Sequence, residues 1–79
     1  METIEKLPSG NNIVGIRETT KGIKAGKIRK VVFAKNCPEF LIKQIKEAGN
    51  IEMYTFNGDQ KDLGTRLGKP FPVALAGYE

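Results

Sequence analysis

Lys30-Val31-Val32-Phe33-Ala34-Lys35-Asn36-Cys37-Pro38-Glu39-Phe40-Leu41-Ile42-Lys43-Gln44-Ile45-Lys46-Glu47-Ala48-Gly49-Asn50 contains the decisive change of period in this 79-residue chain. Residues 30–34 are nearly continuous in apolar side chains, the pattern of a central strand covered on both faces. Asn36-Cys37-Pro38 breaks the run. Pro38 suits the first turn of a helix, where its missing N–H costs nothing, and Glu39 sets negative charge near the helix's positive end. Leu41, Ile45 and Ala48 then recur at helical spacing. One stripe therefore faces a sheet while Lys43, Lys46 and Glu47 stay in water, and Gly49-Asn50 ends the helix.

The same strand–helix unit repeats on either side. Upstream, a Pro8-Ser9-Gly10-Asn11 turn cluster leads into the β-branched segment Asn12-Ile13-Val14-Gly15-Ile16. Residues 18–25 then read as a two-turn helix stopped at Gly26, with Ile23 inward and Lys21 and Lys24 outward. Gly22 weakens it by about 1 kcal/mol relative to alanine, so tertiary packing must hold it. Downstream, residues 51–56 alternate as a third strand and Asn57-Gly58-Asp59 turns the chain. Residues 60–67 form a short helix stopped by Gly68, Pro70-Phe71-Pro72 is an extended loop, and residues 73–78 are a last strand. Such alternation belongs to the α/β class, with helices on a mostly parallel or mixed sheet. Length allows one domain, residues 1–79. Residues 1–9 stay open between little structure and a single helical turn marked by Ile4 and Leu7 and limited by Pro8.

Charge is distributed unevenly. Arg17, Lys21, Lys24, Lys27, Arg29, Lys30 and Lys35 stand against Glu18 alone between residues 15 and 35, and this stretch accounts for the whole formal net charge of +4. Cations clustered around a helix start attract a polyanion, although a solvated basic face accounts for the charge equally well. One cysteine and no histidine exclude an internal disulfide, a zinc site of the usual kind and the commonest general acid–base. Such cysteine usage points to a reducing compartment, the cytosol. No apolar run has membrane-spanning length and no signal-peptide pattern opens the chain, so a soluble, unprocessed protein is expected.

Several motifs fail on inspection. Gly22-Ile23-Lys24-Ala25-Gly26-Lys27 is one residue short of a phosphate loop and is followed by Ile28, not by a hydroxyl. Gly64-Thr65-Arg66-Leu67-Gly68-Lys69-Pro70 fails both tests too. Asp59 and Asp62 lack a third metal ligand and read as cap and surface charges. Cys37 has no histidine partner and reads as a small, partly buried apolar residue.

Four pieces, in order, carry a resemblance: Gly15-x-Arg17-Glu18-x-x-Lys21; Gly26-Lys27 leading into residues 30–36 and Pro38; Tyr54-x-Phe56-x-Gly58; and Leu63-Gly64-Thr65-Arg66-Leu67-Gly68-Lys69-Pro70-Phe71. Over about residues 12–78 the chain resembles the kink-turn-binding ribosomal protein family, the L-seven-Ae superfamily. The last two pieces are most similar to its ribosomal L-thirty-e branch. The resemblance implies a three-layer α/β/α sandwich with a four-stranded mixed sheet. It also implies a non-enzymatic protein without cofactor that grips an RNA internal loop bent around tandem sheared G·A pairs. Its setting would be the large ribosomal subunit in the cytoplasm, its partners ribosomal RNA and neighbouring ribosomal proteins, and its free state a monomer away from membranes.

Carried over residue by residue, the resemblance has Gly15 admit the RNA backbone while Arg17, Glu18 and Lys21 face guanine edges and adjacent phosphates. Asn36 would lie beside that surface. Lys69, Phe71 and Val73 would lie beneath a looped-out nucleotide, with Phe71 stacking on a base. Helix capping explains Glu18 and a core position explains Phe71 as well. Lys24, Lys27, Arg29 and Lys30 suit phosphate contact or solvation. Many members of the family have asparagine at position 17. The leading helix is reduced and the tail nearly absent, which implies a sheet face thinly covered unless RNA or neighbouring proteins complete it. Rival readings are a kink-turn binder in a guide-RNA modification particle or RNase P, a protein-interaction module, and an enzyme using Asp59, Asp62 or Cys37.

Overall fold

In the computed structural model, which describes residues 2–79, the chain runs β1 (Glu2–Ile4), β2 (Asn12–Val14), α1 (Ile16–Lys24), β3 (Lys30–Phe33), α2 (Glu39–Ala48), β4 (Glu52–Phe56), α3 (Gln60–Arg66) and β5 (Leu75–Tyr78). The strands form one mixed sheet in the order β1-β4-β3-β5-β2. β1, β4 and β3 pair in parallel, and β5 runs antiparallel to both β3 and β2. β3 is the centre, as its unbroken apolar run requires: Val31, Val32 and Phe33 are fully buried.

Alternation along β3 builds the layers. Val31 and Phe33 join Ile23 of α1 and Ile45 of α2 on one face, with Ile28 and Leu75. Val32 and Ala34 join Leu63 of α3 on the other, with Phe56, Ala76 and Tyr78. The α/β/α sandwich expected by resemblance is present, with five strands where four were expected. The fifth is β1, whose Glu2, Thr3 and Ile4 pair with Tyr54, Thr55 and Phe56 along the open edge of β4. The single helical turn considered around Ile4 and Leu7 gives way to it because that edge offers hydrogen-bond partners that a lone turn lacks.

A second expectation is also corrected. The face under α3 is not thinly covered at its centre, where Val32 and Ala76 are fully buried and Tyr78 is nearly so. β1 and β2 occupy opposite edges of the sheet, so residues 5–11 must cross it, and Leu7 packs on this apolar cluster as they do. A short strap does the work of a longer element.

α1 starts two residues earlier than the charge pattern indicated, because Gly15 supplies the turn at φ 97° and Ile16 packs into the core. Gly22 is buried against Ile28, so the residue that lowers helix propensity is also what lets the helix seat. β2, β3 and β4 point the same way, so their carboxyl ends, the starts of all three helices and the approach to β5 share one end of the sheet. In open α/β sheets ligands favour that end.

Candidate nucleic-acid interface

Gly15 sits between the end of β2 and the first turn of α1. Its φ of 97° is costly for any residue with a Cβ, and nothing within 4 Å would meet such an atom. The requirement there is conformational, and the surface beside it is open. No side chain caps α1, so its first N–H groups face outward at the helix's positive end. Arg17, Lys21 and Lys24 are exposed at i, i+4 and i+7, one cationic stripe on the face opposite Thr19 and Ile23. Glu18 lies beside this stripe in the first turn, where both base contact and favourable interaction with the dipole remain open to it.

Across from Gly15 lies the loop before β5. Gly15, Val14, Ile16, Leu41, Phe71 and Val73 help to line a cleft of about 320 Å³. Phe71 is 49% exposed, which settles its position: it is a surface aromatic held in a loop, not a core residue. Its carbonyl oxygen lies directly against Gly64 of α3. Val73 differs, since its side chain is buried in the core and its N–H donates to the Gln60 carbonyl at 2.9 Å. It holds the loop from inside. Lys69 is exposed beside Lys61, Thr65 and Phe71 around a shallow depression, and its N–H donates to the Gly64 carbonyl at 2.9 Å.

Asn36 has a role within the fold that its position in the sequence did not disclose. Its Oδ1 accepts from the Gln60 N–H at 2.9 Å, and its carbonyl accepts from Gln60 Nε2 at 3.2 Å. Asp59 caps the same helix by accepting from the Asp62 N–H at 2.9 Å, as the cap reading of that acidic pair expected. Burial pushes the Cys37 thiol up to about 11, so little nucleophilic thiolate forms near neutral pH. No group of three or more His, Cys, Asp or Glu converges among the described residues, and no described helix is long and apolar enough to cross a membrane.

Gly15, Arg17, Glu18, Asn36, Phe71 and Val73 therefore gather at the carboxyl end of the parallel strands, with Lys21 one turn down α1 and Lys69 on the α3 flank. Lys24 does not join them. It lies at the far end of α1 beside Gln44 and Glu47 of α2, about 12 Å along the helix axis from Ile16. Lys27, Arg29 and Lys30 follow it to the opposite end of the sheet. Leu41 and Gln60 were not anticipated as parts of the site. Leu41 reads as a core residue from its spacing, and Gln60 carries no signal in a single sequence.

Comparison with known proteins agrees with the fold. A profile of the "Ribosomal protein L7Ae/L30e/S12e/Gadd45 family" matches residues 2–78. Large ribosomal subunit protein eL30 of Archaeoglobus fulgidus is 37% identical over 76 residues, covering 94% of this chain and 87% of that protein. The eL30 of Methanoregula boonei is 41% identical over 68 residues, covering 86% and 70%. Among solved structures, a Bacillus halodurans protein of unknown function superposes with a TM-score of 0.68 at 15% identity, over 85% of this chain and 69% of that one. The Giardia lamblia 15.5kD RNA binding protein superposes with a TM-score of 0.63 at 20% identity, over 85% and 58%. These two likenesses concern the fold alone.

Proposed function

Because this chain belongs to the ribosomal protein L7Ae/L30e/S12e/Gadd45 family, we propose that it is an RNA-binding component of the large ribosomal subunit, working in the cytoplasm, that recognises a kink-turn-like element of ribosomal RNA. The observation that carries this function is the convergence, at one end of the sheet, of an uncapped helix start, the exposed cations Arg17 and Lys21 and an exposed aromatic beside an apolar cleft.

Each part answers a feature of bent RNA. An A-form duplex hides its base edges in a narrow major groove, so a side chain reads sequence only where the helix is distorted. Arg17 and Lys21 are placed to donate to guanine O6 and N7 or to phosphates, and Glu18 to accept from an amino group. Gly15 keeps the approach free of a side chain. Phe71 offers a face on which a looped-out base stacks, while Lys69 neutralises phosphate beside it. Val73 and Asn36 fix the loops. Binding the kinked form better than the straight one shifts the RNA population toward the kink, and that shift is the activity. We assign the protein no reaction: the Asp59 side chain is engaged as a cap and the Cys37 thiol is held protonated.

The test is titration of the full chain with a kink-turn RNA and with the same RNA in which Watson–Crick pairs replace the sheared G·A pairs. Clear preference for the kinked RNA is expected, and Lys21→Ala should reduce that binding by about 1–3 kcal/mol. Equal affinity for both RNAs overturns the proposal.

A further inference from the structure

Phe40, in the first turn of α2, is 64% exposed. A solitary exposed apolar residue is ordinary. Phe40 is not solitary, because the other large hydrophobic so exposed among the described residues, Phe71, stands at the same end of the sheet. Leu41, its neighbour in the chain, lines the cleft with Gly15 and Phe71. α1 and α2 also run side by side, with Thr20 and Lys24 across from Gln44, Glu47 and Ala48. One helical turn back along both helices, Phe40 stands level with Ile16 and Arg17. We infer that the first turn of α2 extends the RNA-gripping edge, with Phe40 as a second aromatic contact packing against a base or ribose next to the one met by Phe71.

The fold itself has no use for this ring. Leu41, Ile42, Ile45 and Ala48 supply the stripe that α2 packs on the core, and Phe40 stands off it. Phenylalanine is a poorer helix former than the lysine, glutamate or alanine that would suit a solvated position. Lys43 is exposed one turn further along α2, Arg17 and Lys35 are exposed at the same end of the sheet, and Glu39 is the acidic neighbour in the chain. Rings interleaved with cations match the two faces of a looped RNA, bases for the one and phosphates for the other. Leu41 joins this turn to the cleft that Phe71 lines, and both facts favour RNA over a protein at this position.

This inference rests on the proposed function, so its test keeps the two apart. Phe40→Ala and Phe40→Trp are titrated in the full chain against the kink-turn RNA, with Lys21→Ala in parallel, and a photoreactive phenylalanine analogue is placed at position 40 for crosslinking. A loss of about fivefold or more is expected for Phe40→Ala, with Phe40→Trp close to the unaltered chain and the crosslink on RNA. If Lys21→Ala loses affinity while Phe40→Ala does not, the inference fails and the function stands. A crosslink that lands on a ribosomal protein in assembled subunits also overturns it. Absence of any preference for kinked RNA in the unaltered chain removes both.

Discussion

Gly64 and Gly22 are both buried helical glycines, yet a methyl group added to each meets a different kind of neighbour. At Gly22 it meets Cγ1 of Ile28, part of a buried, β-branched side chain that can turn only by disturbing the core around it. At Gly64 it meets the carbonyl oxygen of Phe71, part of a backbone that cannot turn. Alanine gains about 1 kcal/mol of helix propensity at either position, while overpacking costs about 1–3 kcal/mol. The balance is therefore unfavourable at both positions, and more so at Gly64. Gly64→Ala should lower the urea midpoint more than Gly22→Ala does, and it alone should weaken RNA binding, because the loop presenting Phe71 rests on that contact. Equal RNA affinity for Gly64→Ala and the unaltered chain would show that this loop is not part of the interface.

At the scale of the element, α3 decides whether Asn36 reads RNA or holds the fold. Asn36 and Asp59 between them take two N–H groups that a helix start leaves unpartnered. Asn36→Ala should cost about 1 kcal/mol, as cap removals do, and Asn36→Asp, which keeps an acceptor, should restore it. RNA affinity separates the roles: a fold-only residue recovers affinity with the aspartate, whereas one facing phosphate loses more. Chemical denaturation and titration of both variants check this. The same bonds show what the sequence could and could not disclose. β3 and α2 were readable because one change from a continuous apolar run to helical spacing marks both. The turn at Gly15 and the exposed loop of Phe71 were readable through their flanking residues. β1 was not, since three residues with one apolar side chain carry no period and its partner strand lies far along the chain. The Asn36–Gln60 bond was hidden for the same reason, being long-range and invisible to local pattern. Phe40 did leave a trace, standing off the Leu41–Ile45–Ala48 stripe, where a surface position would favour a polar residue.

For the whole molecule, the fold divides what the sequence joins. The basic run from Arg17 to Lys35 looks like one cationic field, but Arg17, Lys21 and Lys35 serve the end that holds Gly15 and Phe71. Lys24, Lys27, Arg29 and Lys30 serve the other. The molecule measures 27 × 24 × 21 Å, and the Debye length at physiological salt is about 8 Å. Charges at opposite ends are thus separated by roughly two or more screening lengths, and a short RNA bound at one end is barely influenced by cations at the other. Four or five phosphate contacts imply a slope of log affinity against log salt of about −3 to −4. Replacing Lys27, Arg29 and Lys30 together by glutamine should leave that slope for a short kink-turn RNA unchanged to within about one. Replacing Lys21 and Lys69 should make it shallower by about 1.5. Titrations from low to moderate salt distinguish the triple from the double replacement directly. If removal of the remote cations flattens the slope as much as removal of the near ones, the RNA is held by diffuse attraction to net charge. The gathering of Gly15, Arg17, Lys21 and Phe71 would then have no special part in recognition. If the slope responds only to the near cations, the far basic pole is left available for a second, separate stretch of RNA phosphate. A longer RNA that spans both ends would then regain the steeper dependence that the short one lacks.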